Sequence, residues 1–152
     1  MRLTSYTDFG LRALMRLAGE PDRSFTTDEI AGEFEISRNH LIKVVHGLAE
    51  AGYVKTQRGA AGGFRLARPA GDITLGEVVR DLEQDQPIVE CFREDGGACV
   101  LTPRCRLKKR LAAARQAFLD ELDTTSLAEC AYPAPRRESA SVVPTEAERS
   151  EA

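Results

Sequence analysis

Four times in 152 residues a hydroxyl side chain is followed three positions later by an acid as an apolar run begins: Ser5/Asp8, Thr26/Glu29, Thr74/Glu77 and Ser126/Glu129. At that spacing the hydroxyl accepts from an orphan amide of the first helical turn. The acid reaches back to the amide of the hydroxyl residue, so each pair marks a helix start. Thr102-Pro103 adds a fifth start, with proline at the first helical position, where its missing N–H costs nothing. The expected fold is therefore mainly α, with helices near 5–18, 27–34, 38–50, 75–83 and 103–122 and a short one near 126–130. Leu11, Leu14, Leu17 and Ala18 give the first of these an apolar stripe at helical spacing.

The stretch from Tyr53 to Ala67 breaks this pattern. Two short runs of strand character flank a glycine-rich tip at Gly59 to Gly63, which reads as a β-hairpin. Two helices, a tight turn and a hairpin in this order make a winged helix-turn-helix. Residues 26–35 are the supporting helix, Ile36-Ser37 the turn with Ser37 as N-cap, and 38–50 the reading helix. Ser37, Arg38, Asn39, His40 and Lys43 form its polar amino-terminal face, while Leu41, Val44, Val45 and Leu48 form the inward stripe. A helix that offers its first turn to a major groove needs this division. Asn39 can pair with adenine through two hydrogen bonds, and Arg38 with guanine or phosphate. At the hairpin, Arg58 and Arg65 flank the tip, and Gly62 lets the backbone approach a sugar-phosphate chain. Proteins with this architecture that bind other proteins are the competing reading.

The whole-chain charge is −3, from 21 Lys+Arg and 24 Asp+Glu, yet its distribution is uneven. Arg38 to Arg68 holds six cations and one anion, the local excess that phosphate binding requires. Asp81 to Asp95 is acidic, and a second basic run follows from Arg104 to Arg110. No run approaches the roughly eighteen apolar residues needed to span a bilayer, and the amino terminus lacks a secretory apolar region, so a cytoplasmic protein is expected. His40 and His46, six apart, point about 240° away from each other on a helix and cannot share a ligand face. No nucleophile–base pair or nucleotide-binding glycine loop is present, so an enzyme is not expected; an iron–sulfur redox protein is the remote alternative.

Cys91-x7-Cys99-x5-Cys105 lies in a polar loop containing Gly96-Gly97. Three thiols so placed in a reducing compartment suit an iron–sulfur cluster, zinc or a metal-free thiol switch. Cys105 opens a helix, whose dipole favours the thiolate. Spacing does not identify a fourth ligand, and Cys130 reads as a bystander. Asp8, taken by position, is the acid of a capping pair.

The opening Met1-Arg-Leu-Thr-Ser-Tyr-Thr-Asp-Phe-Gly-Leu-Arg-Ala-Leu, the Ile36-Ser-Arg-Asn-His-Leu-Ile-Lys helix, the Arg58-Gly-Ala-Ala-Gly-Gly-Phe-Arg-Leu hairpin and the cysteine triad resemble the winged-helix iron–sulfur transcriptional repressors. This family includes NsrR, IscR and RirA, and the resemblance is closest to the nitric-oxide-sensing NsrR branch. It spans Met1 to about Ala131. It implies a homodimer on a near-palindromic operator in double-stranded DNA. It also implies a 4Fe–4S cluster, with 2Fe–2S as the alternative, held by Cys91, Cys99, Cys105 and Asp8 of the partner subunit. Nitric oxide is then the signal that releases the repressor from DNA. IscR-like members carry a histidine three residues past the last cysteine, where this chain has Lys108. The seven-residue first gap is shared with the iron-responsive RirA group, so iron is the alternative signal.

The expected organisation is a DNA-binding domain over 1–83, a cluster-binding loop over 84–104, a dimerisation helix with a short terminal helix over 105–131, and a disordered tail over 132–152. Leu107, Leu111, Phe118, Leu119 and Leu122 are the expected dimer seam.

Overall fold

A computed structural model of the chain describes residues 2–59, 62–83, 86–101 and 104–133. In order it forms α1 (Ser5–Gly19), α2 (Thr27–Glu33), α3 (Arg38–Glu50), β1 (Val54–Gln57), β2 (Gly63–Leu66), α4 (Leu75–Leu82) and α5 (Arg106–Asp123). Short 3₁₀ turns lie at Ala70–Asp72, Glu90–Phe92 and Leu127–Cys130. The tail from residue 134 onward, and the Thr102-Pro103 helix start, fall outside the described residues.

Two of the four expected capping pairs close in both directions. Thr26 with Glu29, and Ser126 with Glu129, exchange hydroxyl and carboxylate bonds with each other's amides. Thr74 accepts from the Glu77 amide, but the Glu77 carboxylate turns to Arg68 instead. The first pair is a correction. The N-cap of α1 is Thr4, not Ser5, and the acid that serves it is Glu83 at the end of α4, which accepts from the Thr4 amide at 2.8 Å and from the Thr4 and Thr7 hydroxyls. α5 also starts later than expected, at Arg106, with Cys105 as its N-cap.

The core is one cluster built on α1 and α3. Leu14 and Leu17 meet Leu41, Val44 and Leu48, with Ile30, Tyr53, Phe64, Ile73, Val78 and Leu127 around them. Burial of the full inward stripe of α3 holds this helix on α1 through non-directional apolar contact. The supporting helix is shorter than expected, ending at Glu33. The turn is made by Glu35 at φ 54°, a left-handed conformation that costs a side-chain-bearing residue about 1–2 kcal/mol.

The hairpin has the register Val54↔Leu66, Lys55↔Arg65, Thr56↔Phe64 and Gln57↔Gly63, so Gly63 belongs to a strand rather than to the tip. A third short arm fixes β2: Phe25 and Phe64 exchange backbone bonds of 2.9 and 2.8 Å. The guanidiniums of Arg16 and Arg23 lie 4.6 and 4.4 Å from the Phe25 ring centre. Arg16 is only 2% exposed and is held by Glu20 and Glu33 at 2.7 and 2.9 Å, which ties α1 to α2 beside Phe25, the backbone partner of β2. Tyr53, buried below the hairpin, donates to Asp81 of α4, and burial beside that carboxylate pushes its phenol pKa up.

Candidate functional site

Every residue expected on the reading face of α3 is exposed: Ser37, Arg38, Asn39, His40 and Lys43. Ser37 occupies the N-cap position, but its hydroxyl makes no capping bond. Arg38 is paired with Asp28 at the start of α2, so its guanidinium is already oriented across the helix-turn-helix entrance. His46 lies 3.4 Å from Glu50 one turn further along.

The hairpin brings Arg58 to the same side. Arg58 shares a cleft with Ile42, His46 and Thr56, so the hairpin and α3 form one concave surface. Arg65 is exposed and sits opposite Lys55 on the ladder. Gly62 closes the tip by donating to the Gly59 carbonyl at 2.8 Å, and a Cβ there would come within 2.6 Å of that same oxygen. Lys55 and Ile42 were not singled out by sequence. The period-two alternation of the strand marks Lys55 as outward, whereas an isoleucine in a polar turn gives no such signal.

The cysteine segment folds back on itself. The Glu90 carboxylate accepts from the Ala98 amide at 3.1 Å, and Asp95 accepts from the Gly97 amide at 2.9 Å across a turn where Gly96 and Gly97 have φ of 74° and 61°. Cys91 and Cys99, each next in sequence to one of the bonded residues, therefore lie on the two arms of one loop. Cys105 caps α5, its Sγ accepting from the Lys108 amide at 3.4 Å. All four cysteines are half-buried and free. Among the described residues no three His, Cys, Asp or Glu side chains are gathered as a metal-holding group.

Asp8 lies on the outer side of α1, half exposed, and both carboxylate oxygens face Arg12, at 2.7 and 3.1 Å. It caps nothing; Glu83 does that work. The expected seam on α5 also needs one correction: Leu119 is buried in the chain's own core, while Leu107 and Phe118 are exposed and Leu111 and Leu122 half-buried.

A supporting helix, an exposed polar helix and a basic hairpin anchored beside it define a winged helix-turn-helix regulator. The pattern described as "Rrf2: Iron-dependent Transcriptional regulator" matches residues 3–132. The chain belongs to the Rrf2 family of transcriptional regulators. Among solved structures it is similar to oxidised Staphylococcus aureus CymR, at 28% identity and TM-score 0.68 over 89% of this chain and 99% of that one. It is also similar to CymR (YrzC), the global cysteine regulator of B. subtilis, at 29% identity and TM-score 0.69, over 86% of this chain and 96% of that one. T. potens IscR matches at 25% identity and TM-score 0.67, over 85% of each chain. Among the described residues no helix is long and apolar enough to cross a membrane.

Proposed function

We propose that the chain is a homodimeric repressor that reads a near-palindromic operator through α3 and the hairpin. It senses nitric oxide through an iron–sulfur cluster held by Cys91, Cys99, Cys105 and Asp8 of the partner subunit. The observation that carries the sensing half is the position of Asp8. Its carboxylate is on the surface of α1, without a capping duty, and among the described residues it is paired with Arg12. An acid so placed can serve a second subunit without loss of its own helix.

The donor set fits such a cluster. Thiolates are soft ligands suited to iron–sulfur centres, and the Cys105 Sγ already accepts from the Lys108 amide at the start of α5. When bound, the group supplies an iron site whose carboxylate-held position is most open to an entering ligand, because a hard oxygen donor is softer iron's weaker partner. Lys108 stands where the IscR-like histidine would be, and a protonated lysine cannot ligate.

α1 then carries the response directly to the reading helix. Two residues before Asp8, Tyr6 seats its hydroxyl over Gly47 of α3, so close that a Cβ there would collide with it. With Asp8 engaged by the partner subunit, α1, and through Tyr6 the α3 helix, is held at a fixed spacing in the dimer. With Asp8 released to Arg12, that spacing is no longer imposed. The regulation needs only a differential affinity for DNA of about 1–3 kcal/mol between the two states.

The family's description as iron-dependent favours a second reading, in which iron supply rather than nitric oxide is the signal at the same residues. The cysteine assignment is tested by substitution under anaerobic reconstitution. Cys91→Ala, Cys99→Ala and Cys105→Ala each abolish bound iron and sulfide, while Cys130→Ala retains both. Full retention in any of the first three removes that residue from the ligand set.

A further inference from the structure

Where the entrance of α1, the end of α4 and the middle of α5 meet, a cleft of about 210 Å³ opens, separate from the reading surface. Its walls differ in character. Val79 and Leu119, both buried, make an apolar floor that Leu3 and Ile88 extend. The rim carries three guanidiniums, of Arg2, Arg80 and Arg115, and one described carboxylate, of Glu83.

Among the described residues the charges around this cleft do not cancel. Glu83 is engaged by the Thr4 amide and by the Thr4 and Thr7 hydroxyls. Arg80 is paired with Asp123 on α5, and that partner, beside Thr74, has its own carboxyl pKa held low. Arg2 and Arg115 have no carboxylate partner among the described residues. Arg115 also borders a second cleft that contains Arg93, Glu94 and Asp95, so it stands between the α1 entrance and the cysteine loop.

The geometry points to this cleft as a binding site for a small organic carboxylate with a short apolar body, going beyond the sensing function proposed above. A guanidinium offers paired N–H donors that match a carboxylate, and the apolar floor takes the hydrocarbon part. The volume is below the ~300–1,000 Å³ of pockets for drug-sized ligands, which limits the occupant to a few carbons. A carboxylate bridging Arg2 and Arg115 links the segment ahead of α1 to α5. Since α1 also touches α3, the ligand biases the same element as the cluster, from a different position. It acts only as far as its affinity differs between the DNA-bound and released states.

The test uses the full chain with ¹³C-labelled methyl groups, titrated at constant ionic strength with butyrate and, in parallel, with butyramide. The amide has the same shape and no charge. Butyrate is expected to give saturable shifts at the Leu3, Val79, Ile88 and Leu119 methyls. Butyramide binds about tenfold more weakly, the loss expected when a charge-assisted pair is removed. Arg115→Gln weakens butyrate by a similar factor and Arg115→Lys restores part of it, both variants being compared as dimers verified by sedimentation velocity, because Arg115 lies on the same α5 face as Leu111, Phe118 and Leu122. Arg2→Gln, in a segment outside the helices, provides the same test if Arg115→Gln does not fold. Equal response to the two probes, or no response to losing Arg115 and Arg2, overturns the proposal. So does a cleft closed by the second subunit, which would leave these methyls indifferent to butyrate.

Discussion

Asp8 and Glu83 are two acids near the start of α1 whose roles are the reverse of what their positions suggest. Asp8 stands where a capping acid belongs but forms an exposed pair with Arg12, worth less than about 0.5 kcal/mol to the fold. Glu83, 79 residues from Thr4 in sequence, provides the cap, and Thr7, whose hydroxyl it accepts, is fully buried. Asp8→Ala is therefore expected to leave the denaturation midpoint almost unchanged while altering the response of DNA binding to nitric oxide. Glu83→Ala is expected to lose about 2–3 kcal/mol, because it leaves buried polar groups without a charged acceptor. Urea denaturation of both variants separates the roles, and a large loss in Asp8→Ala would return that residue to structural duty. A spacing rule finds a reciprocal pair such as Thr26 and Glu29 because both partners lie within one turn. It cannot find a cap whose acid arrives from another helix.

At the scale of elements, the hairpin and α3 meet in one cleft lined by Ile42, His46, Thr56 and Arg58, and β2 is fixed by the backbone bonds of Phe64 to Phe25, whose ring lies under Arg16 and Arg23. Arg65→Ala and Lys43→Ala are each expected to weaken DNA binding across all sequences and to reduce the salt slope by about 1, as for a lost phosphate contact. Fluorescence anisotropy over a salt series measures this, and an unchanged slope places the interface elsewhere. These elements were readable from the chain because helix and strand periodicities differ and because glycines mark the hairpin tip. The α2–α3 turn and its N-cap Ser37 were readable too, but not the turn's conformation: Glu35 takes the left-handed region at a place where sequence alone would suggest glycine or asparagine. The start of α5 was displaced because Cys105, rather than a hydroxyl, caps it.

For the whole molecule, the outer face of α5 is the surface that a second copy would cover. Leu107 and Phe118 are exposed, at 63% and 37%, with Leu111 and Leu122 beside them on adjoining turns. Leu119 shares the apolar character of this set, but helical phase turns it inward onto α4. Phe118→Asp is expected to shift the protein to monomer in sedimentation velocity and to abolish operator binding, because a monomer engages only one half-site. Leu111→Asp tests the same seam from a half-buried position, and a dimer that survives both changes would move the interface. The proposed sensing centre is legible in the sequence only as a set of thiols. Its proposed fourth donor, Asp8 of the partner subunit, follows from the resemblance of the opening segment, because spacing within one chain does not mark a contribution to another.

The most direct measurement is the absorption spectrum of the anaerobically purified full chain during titration with nitric oxide. The account predicts a brown protein with a band near roughly 400 nm, where thiolate-bound iron–sulfur centres absorb, that bleaches as nitric oxide is added while operator binding is lost in step. A colourless protein that takes up only zinc would contradict it. A brown protein whose spectrum and DNA affinity ignore nitric oxide but respond to iron chelation would also contradict it, and would transfer the signal to iron.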